Sequence, residues 1–547
     1  MSYENVPKNK TEQGVLVRGA RPDFFKLEAD AFPVPTADEA GAILEVTDTG
    51  DRFRWSSTAW YQINNKGSLL VRTELVKGSF GEVISVKLNP VLQISAQYGL
   101  LSGTLTTVDD NSSGLVFVIQ QKYTMLTGVA SDGLASILST KQLAYRPGQG
   151  ALARFTVGFT VGKANNVQGA GLITAENSFT FGFNGVDFGI TYSRGGVDEL
   201  QELTLTVAAG SETAVVTIDG TVYNVTLTGI GTVQDDAFEL AVSLSTQVPN
   251  FLFTANDDQV VAQAVIPGAK GVFTYSSPGT SVGSWVKVIG GGDNTIDFIP
   301  QVDWNIDTKA DLNPLLGNVY QIQFQYLGFG SIEFYIEDRV SGKFVLVHRI
   351  RYANTSTTTI VTNPTFRVGW FVRNEGNTSN VVITGASAAG FIEGPKVIHN
   401  APRSIINDQL AVGATLTNIV ALRNRIVFGS KVNRGEIVIS LISFTAQPNK
   451  VSFFSIILDP TFSSPIIFEY EDKSESIAEV STTKVTLSGG RNILTVAVVE
   501  GGSTVIPFSE ESAPDILPGT VMCIAAIVPS GQPAADCQAT ITWVEDI

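Results

Sequence analysis

The chain has 547 residues, of which 44% are hydrophobic and only 16% charged, with a net charge of −16 and an isoelectric point near 4.7. That length exceeds a single hydrophobic core and predicts roughly two to four domains. No cluster of Lys and Arg is present to displace counterions from phosphates, which excludes a nucleic-acid partner, and no window approaches the about 18–20 apolar residues of a membrane-inserted helix.

Fifty-two glycines and strand-like runs crowded with Thr, Ser and Val suit many short strands joined by tight turns. The fold class is therefore mainly β: several antiparallel β-sandwiches or jelly rolls with a small α+β insert domain. Two cysteines, Cys523 and Cys537, make no disulfide framework. They read as two buried thiols of a chain that folds in a reducing cytoplasm, although spacing alone leaves a bond between them open. The N-terminus has no apolar core of a signal peptide, so export is expected only by lysis or on a particle.

In chain order, residues 1–68 predict a polar arm followed by a hairpin. Arg52-Phe53-Arg54-Trp55 turns through Ser56-Ser57-Thr58 into Ala59-Trp60-Tyr61, with Trp55 and Trp60 anchoring it. Residues 69–144 carry strand-like runs separated by turn clusters such as Val108 to Gly114, and predict a connecting β domain or second β-layer. From 145 a new strand series begins, in which Phe155, Val157 and Phe159, then Phe179, Phe181 and Phe183, alternate with small or polar residues. It breaks at Gly195-Gly196 and resumes near Trp285. The simplest account is one sandwich, 145–196 and 284–394, split by an insertion at 197–283.

The insertion reads ββαββ. Asp219-Gly220 marks a tight hairpin. Asp235-Asp236 open a segment in which Phe238, Ala241, Val242 and Ser245 fall at helical spacing. Residues 395–410 are a linker. Beyond it, 411–547 contains about eight strands and predicts a separate sandwich or jelly roll. Its continuous apolar runs predict strands covered on both faces, and a neighbouring subunit is the expected second cover.

The stretch Trp304 to Gly394 is the most regular of all. Tyr320, Ile322, Phe324 and Tyr326 alternate with Gln321, Gln323 and Gln325, and the alternation returns over Ile332–Ile336 and Phe344–His348. Gly317–Gly330 (GNVYQIQFQYLGFG), Phe344–Asn354 (FVLVHRIRYAN) and Phe391–Gly394 (FIEG) resemble the concanavalin-like sandwich modules in structural proteins of bacteriophages and other large viruses. The hairpin phrase TGDRFRW…TAW, Thr49 to Trp60, resembles that of phage tail-fibre and appendage proteins. The resemblance implies a non-enzymatic virion component, a tail fibre, spike or head fibre, assembled in the host cytoplasm as a homotrimer. Its implied partners are other virion proteins at the N-terminal hairpin and a host-surface glycan or protein receptor. A capsid decoration or collar protein is the competing class, and a glycan-degrading tailspike a third.

Chemistry has few carriers. The two histidines, His348 in a strand and His399 in the linker, read as structural, and soft-metal sites have no ligand set. No phosphate loop occurs, so no cofactor is expected. Calcium at Asp109-Asp110 or Asp257-Asp258 lacks EF-hand spacing. Glycoside hydrolysis needs only two facing carboxylates, with Asp187, Glu333, Glu337 and Asp338 as candidates, but β proteins scatter such residues on solvent faces and no β-helix repeat is present. Carbohydrate contact without cleavage is the remaining expectation. One loop cluster holds Trp304, Asn305 and Asp307. The other, near Trp370, holds Arg373, Asn374 and Asn377 with Glu375 and Asn380. The alternative for both is core tryptophans and ordinary turns.

Overall fold

The computed structural model describes residues 24–26, 43–46, 52–55, 60–64 and 88–547, except 102, 110–112, 175, 230, 249–250, 257, 265–270, 326, 363, 395–399, 430, 465, 500 and 510–512. The chain is mainly β and divides into two compact units, residues 1–77 and 78–547.

The first unit holds a four-stranded sheet in sequence order: Phe24–Lys26, Ile43–Val46, Arg52–Trp55 and Trp60–Asn64. The first pair is parallel and the others antiparallel. The expected hairpin is present, with Trp55 opposite Trp60, but as half of a sheet rather than alone. The side chains of Trp55 and Trp60 lie outside the described part of the structure.

In the second unit two sheets face each other. One runs Phe344–Ile350, Ile332–Glu337, Asn318–Phe324, Ala151–Val157, Ser387–Glu393, Leu88–Ser95. The other runs Thr295–Pro300, Asp187–Arg194, Ser178–Asn184, Asn166–Ile173, Thr365–Asn374, Leu134–Ser139, Leu105–Asp109. Period-two alternation sends Phe155, Tyr320, Ile322, Phe324 and Phe334 inward to meet Phe179, Phe181, Val368 and Trp370, all buried. Phe181 and Tyr320 lie 4.7 Å apart at their ring centroids.

Three expected boundaries differ from this, one being the linker 395–410, whose residues 403–410 form part of the strand Arg403–Val412 paired with Ala535–Asp546. Strands expected in a connecting domain instead complete the sandwich, because Leu92, Ile94, Leu105, Met125 and Ile137 have no core but this one. Conversely, the strand Val282–Ile289, which carries Trp285, belongs to the insertion. It pairs with Leu200–Val207, and Trp285 packs 5.1 Å from Phe273. The neck of the insertion is the reciprocal pair Val197–Gly292, bonded at 2.9 and 3.0 Å.

Instead of the expected ββαββ order, the insertion has three strands before the helix Val233–Gln247 and four after it, in a four-stranded and a three-stranded sheet that pack with the helix around a separate core. The Asp219-Gly220 hairpin has φ of 49° and 80°, as a tight turn of the primed type requires. The helix starts on a reciprocal cap between Thr232 and Asp235. Its buried stripe is Ala237, Leu240, Ala241 and Leu244, not the face of Phe238 and Val242.

The C-terminal region is a second sandwich. Its five-stranded sheet includes Arg403–Val412, Glu436–Ala446 and Ala535–Asp546; its six-stranded sheet includes Thr417–Asn424, Val451–Leu458 and Val521–Ile527. Trp543, Phe444, Phe454 and Ile524 fill the space between. The six-stranded sheet is indeed covered on both faces, but the second cover is the chain's own: Ile466, Phe468, Val485 and Leu487 pack on Ala421, Ile457, Cys523 and Ala525. A neighbouring subunit is not needed there. Both cysteines are free and buried, and burial raises both thiols above their ordinary range.

Candidate functional site

Strand registers bring five loops to one end of the first sandwich. Asn374 stands opposite Asn166, Arg373 opposite Leu134, Asn184 opposite Asp187 and Pro300 opposite Gly189. Loops 128–133, 158–165, 185–186, 301–317 and 375–381 therefore share this end. Loops held by a rigid sheet are where binding residues concentrate.

Asparagines tie these loops together. Asn166 and Asn374 are buried; Asn166 Nδ2 donates to Asn374 Oδ1 at 2.9 Å, and Asn374 Nδ2 donates to the Ala130 carbonyl at 2.8 Å. Asn377 Nδ2 donates to the Ala164 carbonyl at 2.8 Å while its Oδ1 accepts from Ser379 N at 2.6 Å. Asn380 Oδ1 accepts from Gly128 N at 3.0 Å. Of this cluster, Arg373 is exposed and ion-paired with exposed Glu375. Asn374 is a buried strut, a correction to its reading as a contact residue, since a buried amide must be satisfied internally. Asn377 is an anchor whose amide is engaged at both ends.

The other cluster lies in the first part of loop 301–317, on the flank of the same end. Segment 301–309 crosses the open edge between the two sheets. Trp304 is 5% exposed, with its ring 5.9 Å from Phe181 and 6.2 Å from Phe188. It seals the core and has no face to offer a sugar, which corrects its reading as a platform. Asn305 imitates a strand residue: Nδ2 donates to the Arg349 carbonyl at 2.8 Å and Oδ1 accepts from Arg349 N at 3.0 Å. Asp307 caps a turn by accepting from Lys309 N at 2.7 Å. Both are exposed but act in holding the crossing. Trp370 is fully buried and donates to the Thr156 carbonyl at 2.9 Å.

Two of the four candidate carboxylates, Glu333 and Asp338, are engaged. Buried Glu333 holds Arg349, whose Nε donates at 2.8 Å, and accepts from the Tyr335 hydroxyl. Burial and the Glu333 hydrogen bond push the Tyr335 phenol above its ordinary range. Asp338 accepts from Lys309 at 2.7 Å and from Ser341 N at 2.8 Å, and these bonds hold it well below the usual carboxylate range. Asp187 and Glu337 are exposed. His348 accepts from Asn305 N at Nδ1, 3.2 Å, and burial together with the charge of Arg351 draws it down to about 4. His399, Asp110 and Asp257 lie outside the described residues. Among the described residues no group of three or more His, Cys, Asp or Glu side chains is placed to hold a metal ion, and no helix is long and apolar enough to cross a membrane.

Sequence reasoning missed the apolar half of the loop end. A groove of about 430 Å³ is lined by Val161, Val186, Val302, Leu315 and the rings of Phe183 and Phe188. The three valines and Leu315 are exposed. The available signal was an aliphatic residue inside a turn, as in Asn184-Gly185-Val186-Asp187 and Asn313-Pro314-Leu315, where turn chemistry favours polar residues.

No protein-family model and no curated protein sequence matches the chain. Among solved structures, a lectin II from Ulex europaeus is 10% identical, covering 56% of this chain and 100% of its own, with a TM-score of 0.20. A GH43 glycoside hydrolase is 12% identical over 66% of this chain and 56% of its own, with a TM-score of 0.22. A chain from Sulfolobus Turreted Icosahedral Virus is 7% identical over 86% and 99%, with a TM-score of 0.15. Likenesses this distant carry no argument about what this chain does.

Proposed function

We propose that the chain is a non-enzymatic structural component of a bacteriophage particle, an oligomeric tail fibre, spike or head fibre that contributes to attachment at a host surface. The observation that carries this reading is the division of labour along the chain. The hairpin phrase resembling phage appendage proteins sits in a compact unit of its own, residues 1–77, while residues 78–547 build a second unit of sandwiches. In that second unit the loops of the first sandwich gather at one end, braced by buried asparagines and edged by exposed aliphatic side chains and the Arg373–Glu375 pair. A braced, partly apolar loop surface suits recognition, because little ordering is left to be done on binding. In this reading the N-terminal unit docks to other virion proteins and the loop end of the sandwich meets a host glycan or protein.

The test is incubation of the recombinant chain with a panel of bacterial strains and their surface polysaccharides. Saturable binding to a subset of strains, without release of reducing ends, is the expected result. Release of reducing ends would overturn the non-enzymatic reading, and absence of binding across the panel would overturn attachment.

A further inference from the structure

The insertion and the C-terminal sandwich enclose a cleft of about 250 Å³, lined among others by Glu202, Gln259, Arg423, Arg425, Tyr470 and Lys473. In a chain of net charge −16, three cations here meet two carboxylates, Glu202 and Glu479. Glu479 is buried and bound to Arg423 Nε at 2.7 Å. Glu202 accepts from Gln259 Nε2 at 2.7 Å, and burial raises its carboxyl above the ordinary range while the charge of Lys473 opposes that rise.

The cations keep donors in reserve. A guanidinium has five N–H groups. Arg425, 8% exposed, uses Nη1 alone, donating to the carbonyls of Lys473 at 3.1 Å and Ser476 at 2.9 Å. Its plane is held 4.4 Å from the Tyr470 ring centre and 5.5 Å from that of Phe428. Arg423 engages Nε and lies 4.1 Å over Phe468. Lys473 is exposed, and its ammonium contacts the Tyr470 ring at 5.4 Å. Among the described residues, Nε and Nη2 of Arg425, both Nη of Arg423 and Nζ of Lys473 have no hydrogen-bond acceptor. Aromatic packing fixes two guanidinium groups in place while leaving these donors unengaged, an arrangement suited to an oxyanion.

We infer that this cleft binds a small oxyanion-bearing ligand, a sugar acid of a single ring being the class that fits best. The cleft is smaller than the roughly 300–1,000 Å³ of pockets for drug-sized ligands, which limits the occupant to about one ring. Thr254 and Gln259 add neutral polar groups suited to hydroxyls beside the cations. The inference stands apart from the particle reading, since the cleft is complete within one chain.

The experiment is a titration of the full-length chain, followed by NMR or calorimetry, with glucuronate, inorganic phosphate and glucose. Glucuronate is expected to bind and glucose not. Lys473→Met should weaken glucuronate by about tenfold, the worth of one charge-assisted hydrogen bond, with an unchanged melting temperature because the side chain is exposed. Glu202→Gln should strengthen it by removing a competing carboxylate. Binding of phosphate but not glucuronate would support the oxyanion cleft and assign it to free phosphate. Failure of both anions to bind the folded chain, equal binding of glucose, or indifference to both substitutions would overturn the inference.

Discussion

At the scale of single residues, the chain separates side chains that hold the sandwich from those left for contact. Trp304 was legible as important, but its neighbours in space, Phe181 and Phe188, are more than a hundred positions away in sequence, so a core role and a platform role look alike until the sheets are paired. Trp304→Ala should cost about 3–5 kcal/mol, the range for deleting a large buried aromatic, read as a lowered denaturation midpoint. Arg373→Ala, on an exposed pair, should change stability by less than about 0.5 kcal/mol; a reduction of cell binding by this substitution would mark Arg373 as a contact. His348 supplies a pH dependence. Its folded-state pKa, about 4, is below the about 6.5 of the unfolded chain. The unfolded state therefore takes up the proton first. Stability should fall as pH drops from about 6.5 towards 4, with the full cost present below 4 and none above 6.5. His348→Asn keeps an acceptor for Asn305 N and should flatten that part of the curve in thermal melts across pH. An unchanged curve would show that the acid loss arises elsewhere.

At the scale of elements, periodicity specified type better than partner. The alternation of Tyr320, Ile322 and Phe324 was read as an inward row and is one, yet the intervening Gln321 and Gln323 are also buried. Gln321 Oε1 accepts from Arg154 Nε at 2.8 Å, and Arg154 lies over Phe344 and Phe391, so long side chains cover their own sheet face. The helix was legible from its acidic start, but its face was not: Phe238 and Val242 share the 3.6-residue period with Ala237 and Leu240, and only the sheets beneath decide between them. Continuous apolar runs in the C-terminal strands signalled two-sided burial correctly, whereas the identity of the cover rests on Ile466, Phe468, Val485 and Leu487 packing back on the sheet. Phe468→Ala should therefore destabilise the chain by about 3–5 kcal/mol without changing the oligomeric state. A change of oligomeric state on this substitution would return that face to a subunit contact.

At the scale of the whole molecule, the split sandwich was legible because two strand series of like pattern flank a segment of different pattern. Its exact seams were not, since Val282–Ile289 and Leu88–Ser95 are ordinary strands whose allegiance depends on partners up to about three hundred residues distant in sequence. The arrangement is one in which the insertion hangs from a two-residue neck at Val197 and Gly292 and also faces the C-terminal sandwich across the cationic cleft. Ion pairs tie the first sandwich to the second as well: Arg146 to Asp546, Lys141 to Asp515 at 2.6 Å, and Arg434 to Glu176. Such partly buried pairs fix orientation more than they add stability.

The proposed role as an oligomeric appendage is tested most directly by size-exclusion chromatography with multi-angle light scattering on the 547-residue chain. The account predicts a stable trimer, three times the 58.3 kDa chain mass, with a hydrodynamic radius larger than a compact particle of that mass. A compact monomer of 58.3 kDa would contradict an autonomous fibre or spike.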